Sequence, residues 1–256
     1  MSWRVMIEKE FPGAIPGPMF TQSVISYLDG ERGFTPHNTV FGHSTCPDEI
    51  NRKVTTFAEH YGENFILGGL AGFPFTGRTG FNAFSHHSPD VEEHQRLLIL
   101  YGPHIGISEE GEIGKVKRAG MKSLTTACGS LIGAYNKLSD IWDKEKRIGI
   151  PLYDPHDQQQ CRIEGIVAQY LPAIMESDKP LKTAVQKMYL SIDDDMLNIV
   201  NNSSFKGTVV LLGGIQINTP NGEDNYFQPL RFAIYHGMQE NEKIEDCINI
   251  LKQNEK

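Results

Sequence analysis

The chain of 256 residues lacks the features of several protein classes. No stretch comes near the roughly 20 consecutive apolar residues that a membrane span requires. The first ten residues contain no apolar core of the kind found in secretory signal peptides. Basic residues number 24 against 32 acidic ones, so the net charge is -8, and Lys and Arg form no run. Because a nucleic-acid partner needs a basic face, we expect neither nucleic-acid binding nor a membrane span.

Cysteine is also scarce, with four residues at positions 46, 128, 161 and 247. Four scattered cysteines in a chain of this length, without a secretory signal, do not form a disulfide framework. We therefore expect a cytoplasmic protein, or one of an organellar stroma if a transit peptide precedes this sequence. Cys161 and Cys247 lie in or beside helical patterns and are expected to be packing residues. Cys46 and Cys128 are the candidates for metal binding or catalysis.

Segments with strand and helix patterns alternate along the chain. Predicted strands cover residues 38–45, 65–72, 104–108, 208–218 and 226–235. Predicted helices cover residues 20–28, 47–61, 90–100, 163–175 and 181–200, and another begins at Gly129. The helix at 181–200 repeats apolar residues at helical spacing, and its acidic run Asp193–Asp195 is expected to face solvent.

This alternation predicts an α/β fold, a single layered domain over residues 1–256 with a mostly parallel central sheet flanked by helices. With 39% hydrophobic and 22% charged residues, the chain is expected to be globular. Residues 11–36 are rich in Pro and Gly, and residues 1–36 are expected to form a lead-in arm with one short helix. Residues 239–256 are expected to form a polar tail helix.

Cys46 lies between the predicted strand 38–45 and a helix that opens at Pro47. The exposed backbone N–H groups at a helix start favour the thiolate over the thiol. A thiolate is both a nucleophile and a metal ligand. Asp48, two residues further on, is an unusual neighbour for a cysteine that only packs in a core. The residues alone leave both chemical roles open.

His104 and Cys128 lie at two further corners of the chain. His104 follows Gly102 and Pro103 at the start of a predicted strand, and Cys128 precedes Gly129 and a predicted helix. Each could be structural, as a buried histidine with its hydrogen bonds satisfied or as a packing cysteine. Together with Cys46 they offer two thiolates and one imidazole, a three-ligand zinc set with an open fourth position. Their spacing is long, so this signal is weaker than the paired cysteines of a zinc finger.

An aromatic segment follows the second predicted strand and is predicted to be a long loop. It contains the pocket candidates Phe73, Phe75 and Phe81 and the adjacent histidines His86 and His87. Such a loop could line an apolar pocket, with one of the histidines available for proton transfer. A dimer contact is the alternative. Adjacent side chains diverge in an extended strand, so the two histidines are not expected to share one metal.

The chain resembles the low-CO2-inducible LCIB/LCIC family of algae and its bacterial relatives, also called θ-class carbonic anhydrases. The resemblance covers roughly residues 15–235. It rests on Cys46-Pro47-Asp48-Glu49-Ile50-Asn51-Arg52, on Gly69-Leu70-Ala71-Gly72-Phe73-Pro74-Phe75, on Thr79-Gly80-Phe81 with His86-His87 and Pro89-Asp90, on Gly102-Pro103-His104-Ile105-Gly106 and on Ala127-Cys128-Gly129.

The resemblance implies a fold and a zinc site akin to those of β-carbonic anhydrases, one Zn²⁺ per chain, and a homodimer. It implies Cys46, His104 and Cys128 as the ligands, and Asp48 with Arg52 as an Asp–Arg pair beside the metal. In ordinary β-class enzymes the arginine comes four residues after the cysteine and two residues separate the histidine from the second cysteine. Here the corresponding numbers are six and 23, and both match the LCIB type.

The hypothesis for function is therefore a zinc lyase, a carbonic anhydrase in which zinc-bound hydroxide converts CO2 to bicarbonate. Asp48 would accept a hydrogen bond from the hydroxide, and Arg52 would hold Asp48 ionised and oriented. If Asp48 ligated zinc itself, it would close the site. Two alternatives remain: an inactive zinc-binding member that serves as a partner subunit or bicarbonate sensor, and a thiol hydrolase with Cys46 as nucleophile and His104 as base.

Overall fold

The fold is built on an eight-stranded sheet, seen in a computed structural model that describes residues 1–54, 56–62, 64–89, 95–149, 151–237 and 243–252. The side chains of residues 52–54 and 243 lie outside this description. The strands are β1 (Ile15–Pro16), β2 (Thr39–Ser44), β3 (Phe65–Ile66), β4 (Arg96–Tyr101), β5 (His104–Gly106), β6 (Lys115–Val116), β7 (Thr125–Thr126), β8 (Thr208–Asn218), β9 (Tyr226–His236) and β10 (Lys243–Asp246). The helices are α1 (Trp3–Glu10), α2 (Gly17–Arg32), α3 (Phe57–Tyr61), α4 (Gly77–His86), α5 (Gly129–Glu145), α6 (Gln158–Met175), α7 (Pro180–Asn201) and α8 (Ile248–Lys252), with 3₁₀ helices at Glu49–Val54 and Leu70–Gly72.

The sheet is parallel in its centre and antiparallel at one side. Strands β3, β2, β4 and β8 lie side by side and run parallel, and β5 continues the parallel pairing along β8. Strand β9 pairs antiparallel with β8 and carries β1 and β10. Strands β6 and β7 form a separate hairpin. The chain is thus a single α/β domain with a mostly parallel central sheet flanked by helices, which confirms the predicted fold class.

The central strands separate two hydrophobic cores. Successive side chains of a strand point to opposite faces, so Val209 packs in the core under α5, α6 and α7, and Val210 packs in the core under α2. Both faces of β4 are buried in the same way. A strand buried on both faces is apolar throughout and does not alternate. This is why residues 96–101, predicted as part of a helix over 90–100, form β4; residues 90–94 lie outside the described part.

The two ends of the chain are more structured than the sequence predicts. Residues 1–36 contain α1, β1 and α2, and Phe20 and Val24 of α2 are fully buried against the sheet. The tail contributes β10, paired with β9, before the short helix α8; residues 238–242 lie outside the described part. The predicted loop after Phe73 contains α4. In residues 1–36 and in α4, burial of aromatic and aliphatic side chains overrides the local abundance of Gly and Pro.

Asp193 corrects a further expectation. It belongs to the acidic run that was expected to face solvent, yet it is 8% exposed. Arg231 donates to both of its carboxylate oxygens at 2.7 Å, and the hydroxyl of Tyr101 donates to Oδ1. The pair joins α7 to β9 across the face of β4. Burial raises the pKa of Asp193, but the hydrogen bonds from Arg231, Tyr101 and Tyr189 and the charge of Arg231 together outweigh it, so the net pKa is lowered.

Candidate metal centre

Cys46, His104 and Cys128 converge at the carboxyl end of the parallel strands. Cys46 follows β2, His104 opens β5 and Cys128 precedes α5. Their ligand atoms all lie within 4.8 Å of one another, and all three residues are buried. The two sulfur atoms are 3.9 Å apart. Two thiolates on one tetrahedral zinc ion, each with a Zn–S bond of about 2.3 Å, would be about 3.8 Å apart, so the observed spacing suits that ion.

The free nitrogen of His104 gives a second indication. His104 is fully buried, and its Nε2 atom has no hydrogen-bond partner. Leaving a buried polar atom without a partner is unfavourable by about 1–3 kcal/mol, so such atoms are uncommon. A cation between Nε2 and the two sulfurs would satisfy it. The donor set, the spacing and the orphaned nitrogen therefore fit Zn²⁺.

Close packing of glycines brings the strand ends together. A Cβ atom on Gly102 would lie 1.8 Å from the carbonyl oxygen of Gly214, and one on Gly72 would lie 2.1 Å from that of Gly102. Both residues also have positive φ, +141° and +82°, where side chains are strained. The backbone of Ser44 accepts from Gly102 N–H at 3.1 Å and its hydroxyl donates to Gly72 O at 2.9 Å. These contacts hold the segment that leads into Cys46 against the segment that leads into His104.

A second glycine contact places Cys128. The N–H of Gly106 in β5 donates to the carbonyl of Ala127 at 2.8 Å. A Cβ on Gly106 would lie 2.9 Å from the carbonyl oxygen of Lys115, so only glycine allows this approach. Cys128 is thereby fixed beside the strand that carries His104. Its sulfur also lies 3.2 Å from the hydroxyl oxygen of Ser130.

Asp48 lies at the edge of the cluster and pairs with Arg118. Arg118 Nη1 and Nη2 donate to the two carboxylate oxygens at 2.6 and 2.8 Å. Asp48 Oδ2 is 3.8 Å from His104 Nε2. Arg118 is itself held by Thr125 Oγ1 at 2.9 Å and by the carbonyl of Thr126 at 3.1 Å, so the hairpin of β6 and β7 aims its guanidinium at Asp48.

Arg118 is the site residue that sequence reasoning missed. The sequence assigns the pairing to Arg52, whose side chain lies outside the described part of the structure. Arg118 is 70 residues from Asp48 in the chain and stands in no recognisable motif. The one available signal is its place before the Thr125-Thr126 pair that leads into Cys128, and that signal is visible only once the β6–β7 hairpin is known.

The titratable groups at the site shift one another's pKa values. A hydrogen bond between the two sulfurs raises the pKa of Cys46, and burial raises it further, while the same bond lowers the pKa of Cys128 well below its ordinary value. Burial lowers the pKa of His104, but the Cys128 thiolate outweighs it and the net pKa is raised. Burial raises the pKa of Asp48, yet the hydrogen bonds and charge of Arg118, together with His104 and Glu49, lower the net pKa. The hydrogen bond between the sulfurs thus favours one thiolate beside one thiol, and a metal bound by both sulfurs as thiolates would displace a proton.

The backbone also faces the Cys46 sulfur. The backbone N–H groups of Asp48 and Ala71 lower the pKa of Cys46 and so favour its thiolate. Ala71 has φ of +55°, a conformation rare for residues other than glycine. The 3₁₀ helix Leu70–Gly72 that contains it lies over the cluster. Strained backbone of this kind concentrates at functional sites, and here it directs an amide toward a candidate ligand.

The aromatic pocket candidates lie partly in the core. Phe73 and Phe81 are buried and Phe75 is half-buried. The rings of Phe73 and Phe75 are 4.9 Å apart, and the Arg162 guanidinium lies 5.0 Å from the ring centre of Phe73. Phe73 directly follows the 3₁₀ helix that contains Ala71, so among the aromatic candidates it is the one next in the chain to the segment that faces Cys46.

His86 and His87 lie at the carboxyl end of α4, and both are exposed. The ring of His87 contacts Phe65 edge-on, with centres 5.7 Å apart. Phe65 is paired with Gly42 of β2, four residues before Cys46. At about 3.3 Å per residue this is roughly 13 Å along the strand. The structure therefore places this histidine pair at the sheet edge and not among the ligand atoms.

Comparison with known proteins identifies the family. A family profile for limiting CO2-inducible proteins B/C, described as beta carbonic anhydrases, matches residues 14–236. The chain belongs to this family. Its fold is similar to the crystal structure of PtLCIB4, a homolog of LCIB, with 30% identity, coverage of 95% of this chain and 98% of that one, and a TM-score of 0.85. It is also similar in fold to LCIB itself, with 21% identity, coverage of 93% and 96%, and a TM-score of 0.70.

These likenesses confirm the resemblance inferred from the motifs. A search of the curated proteins finds no match to this chain. Among the helices of the described residues, none is both long enough and apolar enough to cross a lipid bilayer.

Proposed function

We propose that this member of the family is a zinc-dependent carbonic anhydrase that interconverts CO2 and bicarbonate. The observation that carries the proposal is the convergence of Cys46 Sγ, His104 Nε2 and Cys128 Sγ, three buried ligand atoms within 4.8 Å from three distant parts of the chain. Family membership supports the same chemistry, because the family is described as beta carbonic anhydrases.

Cys46, His104 and Cys128 would hold one Zn²⁺ per chain. When bound, zinc would lower the pKa of water toward about 7 and so supply hydroxide near neutral pH. Two thiolates offset the charge of the metal more than imidazoles would, and so make it a weaker acid. A further group at the site must then favour the deprotonated nucleophile, and Asp48 is the nearest described carboxylate to His104.

Asp48 would accept a hydrogen bond from the nucleophile and orient it toward CO2. For this role it must be ionised and must not turn onto the metal. The two-bond pair with Arg118 serves both needs, since it lowers the pKa of Asp48 and occupies both carboxylate oxygens. We therefore propose Arg118 as the arginine of the Asp–Arg pair, in the role that the sequence assigns to Arg52.

The sequence also assigns residues to the CO2 pocket and to proton transfer. CO2 has few groups that hydrogen-bond, so an apolar wall suits it. We propose Phe73, which follows the strained turn next to Cys46, as part of that wall, with the tilted ring of Phe75 packed against it. Phe81 packs deeper, against Phe84. His86 and His87 stay proposed proton carriers: exposed imidazoles can pass protons to buffer, and water would have to bridge them to the site.

A non-catalytic zinc-binding member is the second candidate. Asp48 Oδ2 lies 3.8 Å from His104 Nε2, near enough for a small rotation to make Asp48 the fourth ligand. Such a chain would hold zinc and show no turnover. The thiol-hydrolase alternative is weaker because Cys46 and Cys128 are 7% and 1% exposed, and a nucleophilic cysteine must be accessible.

A homodimer and a cytoplasmic location belong to the same proposal. The homodimer rests on the family resemblance, and sedimentation of the purified protein at several concentrations tests it. The location is supported by the four cysteines, all of which are free thiols, as expected in a reducing compartment.

The test is stopped-flow CO2 hydration with elemental analysis of zinc on the same sample. The proposal requires about one zinc per chain and activity that a chelator abolishes and added zinc restores. Zinc without hydration, or without isotope exchange between CO2 and water, would establish the non-catalytic alternative. Activity that survives chelation but not a thiol alkylator would establish the thiol enzyme.

A further inference from the structure

His104 is held from behind by a chain of buried amide side chains. Its Nδ1 atom lies 2.7 Å from Asn218 Oδ1. Asn218 Nδ2 donates to Asn51 Oδ1 at 3.0 Å, and Asn51 Nδ2 donates to the carbonyl oxygen of Cys46 at 3.1 Å. Asn218 and Asn51 are 1% and 3% exposed. The chain of bonds therefore runs from the ring of one candidate ligand to the backbone of another.

Two backbone carbonyls fix the direction of every bond in this chain. A carbonyl oxygen only accepts hydrogen bonds. Asn51 must turn its amide nitrogen to the carbonyl of Cys46, so its oxygen faces Asn218. Asn218 must then present its own nitrogen, which also lies 3.4 Å from the carbonyl of Ile50. The oxygen of Asn218 is left for His104, and Nδ1 of His104 has to be the donor.

The orientation of His104 follows from this. With its proton on Nδ1, the neutral ring carries its lone pair on Nε2, the atom that is buried without a hydrogen-bond partner and faces the two sulfurs. The opposite tautomer would set a lone pair against the oxygen of Asn218 and turn an N–H toward the ligand cluster, where it could not bind a cation.

We propose that Asn218, supported by Asn51, is a positioning residue that locks His104 in the Nδ1–H tautomer and presents Nε2 to the metal. The proposal rests on the metal site of the proposed function but not on CO2 hydration. Hydrogen-bond partners behind a metal-bound histidine fix its tautomer and ring orientation. Here that partner stands at the last residue of β8 and is tied to the 3₁₀ helix next to Cys46, so one side chain aligns two of the ligand-bearing segments.

Asn225 offers a matched control. Its amide nitrogen donates to the carbonyl of Ile50 at 2.9 Å, the same carbonyl that Asn218 approaches. It is buried, at 6% exposure, and its oxygen accepts from Thr219 N–H at 3.2 Å. It therefore supports the same 3₁₀ helix without contacting His104. If the role of Asn218 were purely structural, substitution of either asparagine should change the zinc affinity and the His104 tautomer to the same extent.

The first experiment needs neither metal nor activity. Nitrogen-15 spectra of labelled histidine in the metal-free wild-type protein, taken at a pH where the ring is neutral, should show His104 protonated at Nδ1 and bare at Nε2. A proton on Nε2 would overturn the proposal, whatever the protein does with CO2.

The second experiment compares three variants, checked for folding by circular dichroism, in a competition between the protein and a chromogenic zinc chelator. Asn218→Ala should weaken zinc binding by about 10–100-fold. It should also allow the proton of the neutral His104 ring to move from Nδ1 to Nε2. Asn218→Asp keeps the acceptor oxygen and should keep the tautomer, although it loses the bond to Asn51. Asn225→Ala should match the wild type in both measurements.

The outcomes separate the two proposals. Equal zinc affinity in Asn218→Ala and Asn225→Ala, or loss of the tautomer in Asn218→Asp, would refute the positioning role. If Asn218→Ala fails to fold, the histidine spectra of the wild type and of Asn218→Asp still test whether Asn218 fixes the tautomer of His104. A wild-type protein that binds no zinc would end the proposed function while the tautomer result stands or falls separately.

Discussion

The carboxylate of Asp48 and the guanidinium of Arg118 meet through two hydrogen bonds, of 2.6 and 2.8 Å, although the residues are 70 positions apart in the chain. The planar fork of arginine matches both oxygens of a carboxylate at once. The pair therefore fixes the angle of the carboxylate as well as its charge, beside a cluster of three candidate metal ligands.

Arg118→Ala should keep its zinc and lose activity. Without the guanidinium, Asp48 loses the group that lowers its pKa and holds it away from the metal. We expect a fall in kcat of about 10–100-fold, measured by stopped-flow CO2 hydration at constant zinc content. Arg118→Lys should recover only part of the loss, because an ammonium cannot pair with both oxygens in the same plane.

Arg52→Ala is the matched comparison for that variant. On the assignment to Arg118, it should retain most of the activity. If instead Arg52→Ala loses nearly all hydration while Arg118→Ala keeps it, the pairing predicted from the sequence is the functional one. Unchanged activity in both variants would remove the arginine from the mechanism.

Zinc should stabilise the fold, and the effect should depend on Cys128. A ligand that binds only the native state adds about 2.7 kcal/mol at one hundred times its Kd, so removal of zinc by a chelator should lower Tm by several degrees. Cys128→Ser should contain no zinc and show no such shift, whereas Cys161→Ser should behave as wild type. Equal zinc content in the two serine variants would contradict the ligand assignment.

Gly102→Ala should be among the most damaging single changes in the chain. Its methyl group would lie 1.8 Å from a backbone oxygen and its φ is +141°, so overlap and strain combine to about 3 kcal/mol or more. Gly165→Ala, in the exposed middle of α6 with open space around it, should instead stabilise the protein by about 0.5–1 kcal/mol. Urea unfolding of both variants measures the difference, and equal midpoints would show that the glycine contact is not essential.

Asp193→Asn should destabilise the protein by about 3 kcal/mol at neutral pH, because it leaves the half-buried guanidinium of Arg231 without its counter-charge. The pKa of Asp193 is lowered in the native state. Its contribution is therefore complete above the ordinary carboxyl pKa of about 4 and disappears as the pH falls through the lowered native value. Urea unfolding of wild type and variant should converge in strongly acidic solution; a gap independent of pH would exclude the ion pair as its cause.

The candidate ligands could be predicted because each stands at a chain corner with a local signature. Cys46 follows a strand and precedes Pro47, and His104 and Cys128 adjoin strand or helix starts next to glycine. Such corners combine strand, turn and helix signals within a few residues. Those local signals made the three residues a weak candidate set, and the resemblance to the LCIB/LCIC motifs implied the same three positions, whose ligand atoms the structure brings within 4.8 Å.

The features that could not be predicted depend on distant contacts. Asp193 looks like part of a solvated helix face until Arg231, 38 residues away, is found beside it. Residues 96–101 are apolar on both faces, so their periodicity does not distinguish strand from helix. Arg118 acquires its partner only through the β6–β7 hairpin. In each case the deciding neighbour is fixed by tertiary packing and leaves no local pattern.

The hydrogen bond between His104 and Asn218 spans 114 residues, and this separation bears on biosynthesis. A ribosome has exposed all three ligands well before it has made the strand that orients the imidazole. A metal ion that bound early in translation would therefore meet a His104 imidazole that Asn218 does not yet orient. If the proposed zinc site and the role of Asn218 hold, correct loading of the metal requires that β8 has been synthesised and has joined the sheet, so it follows most of translation.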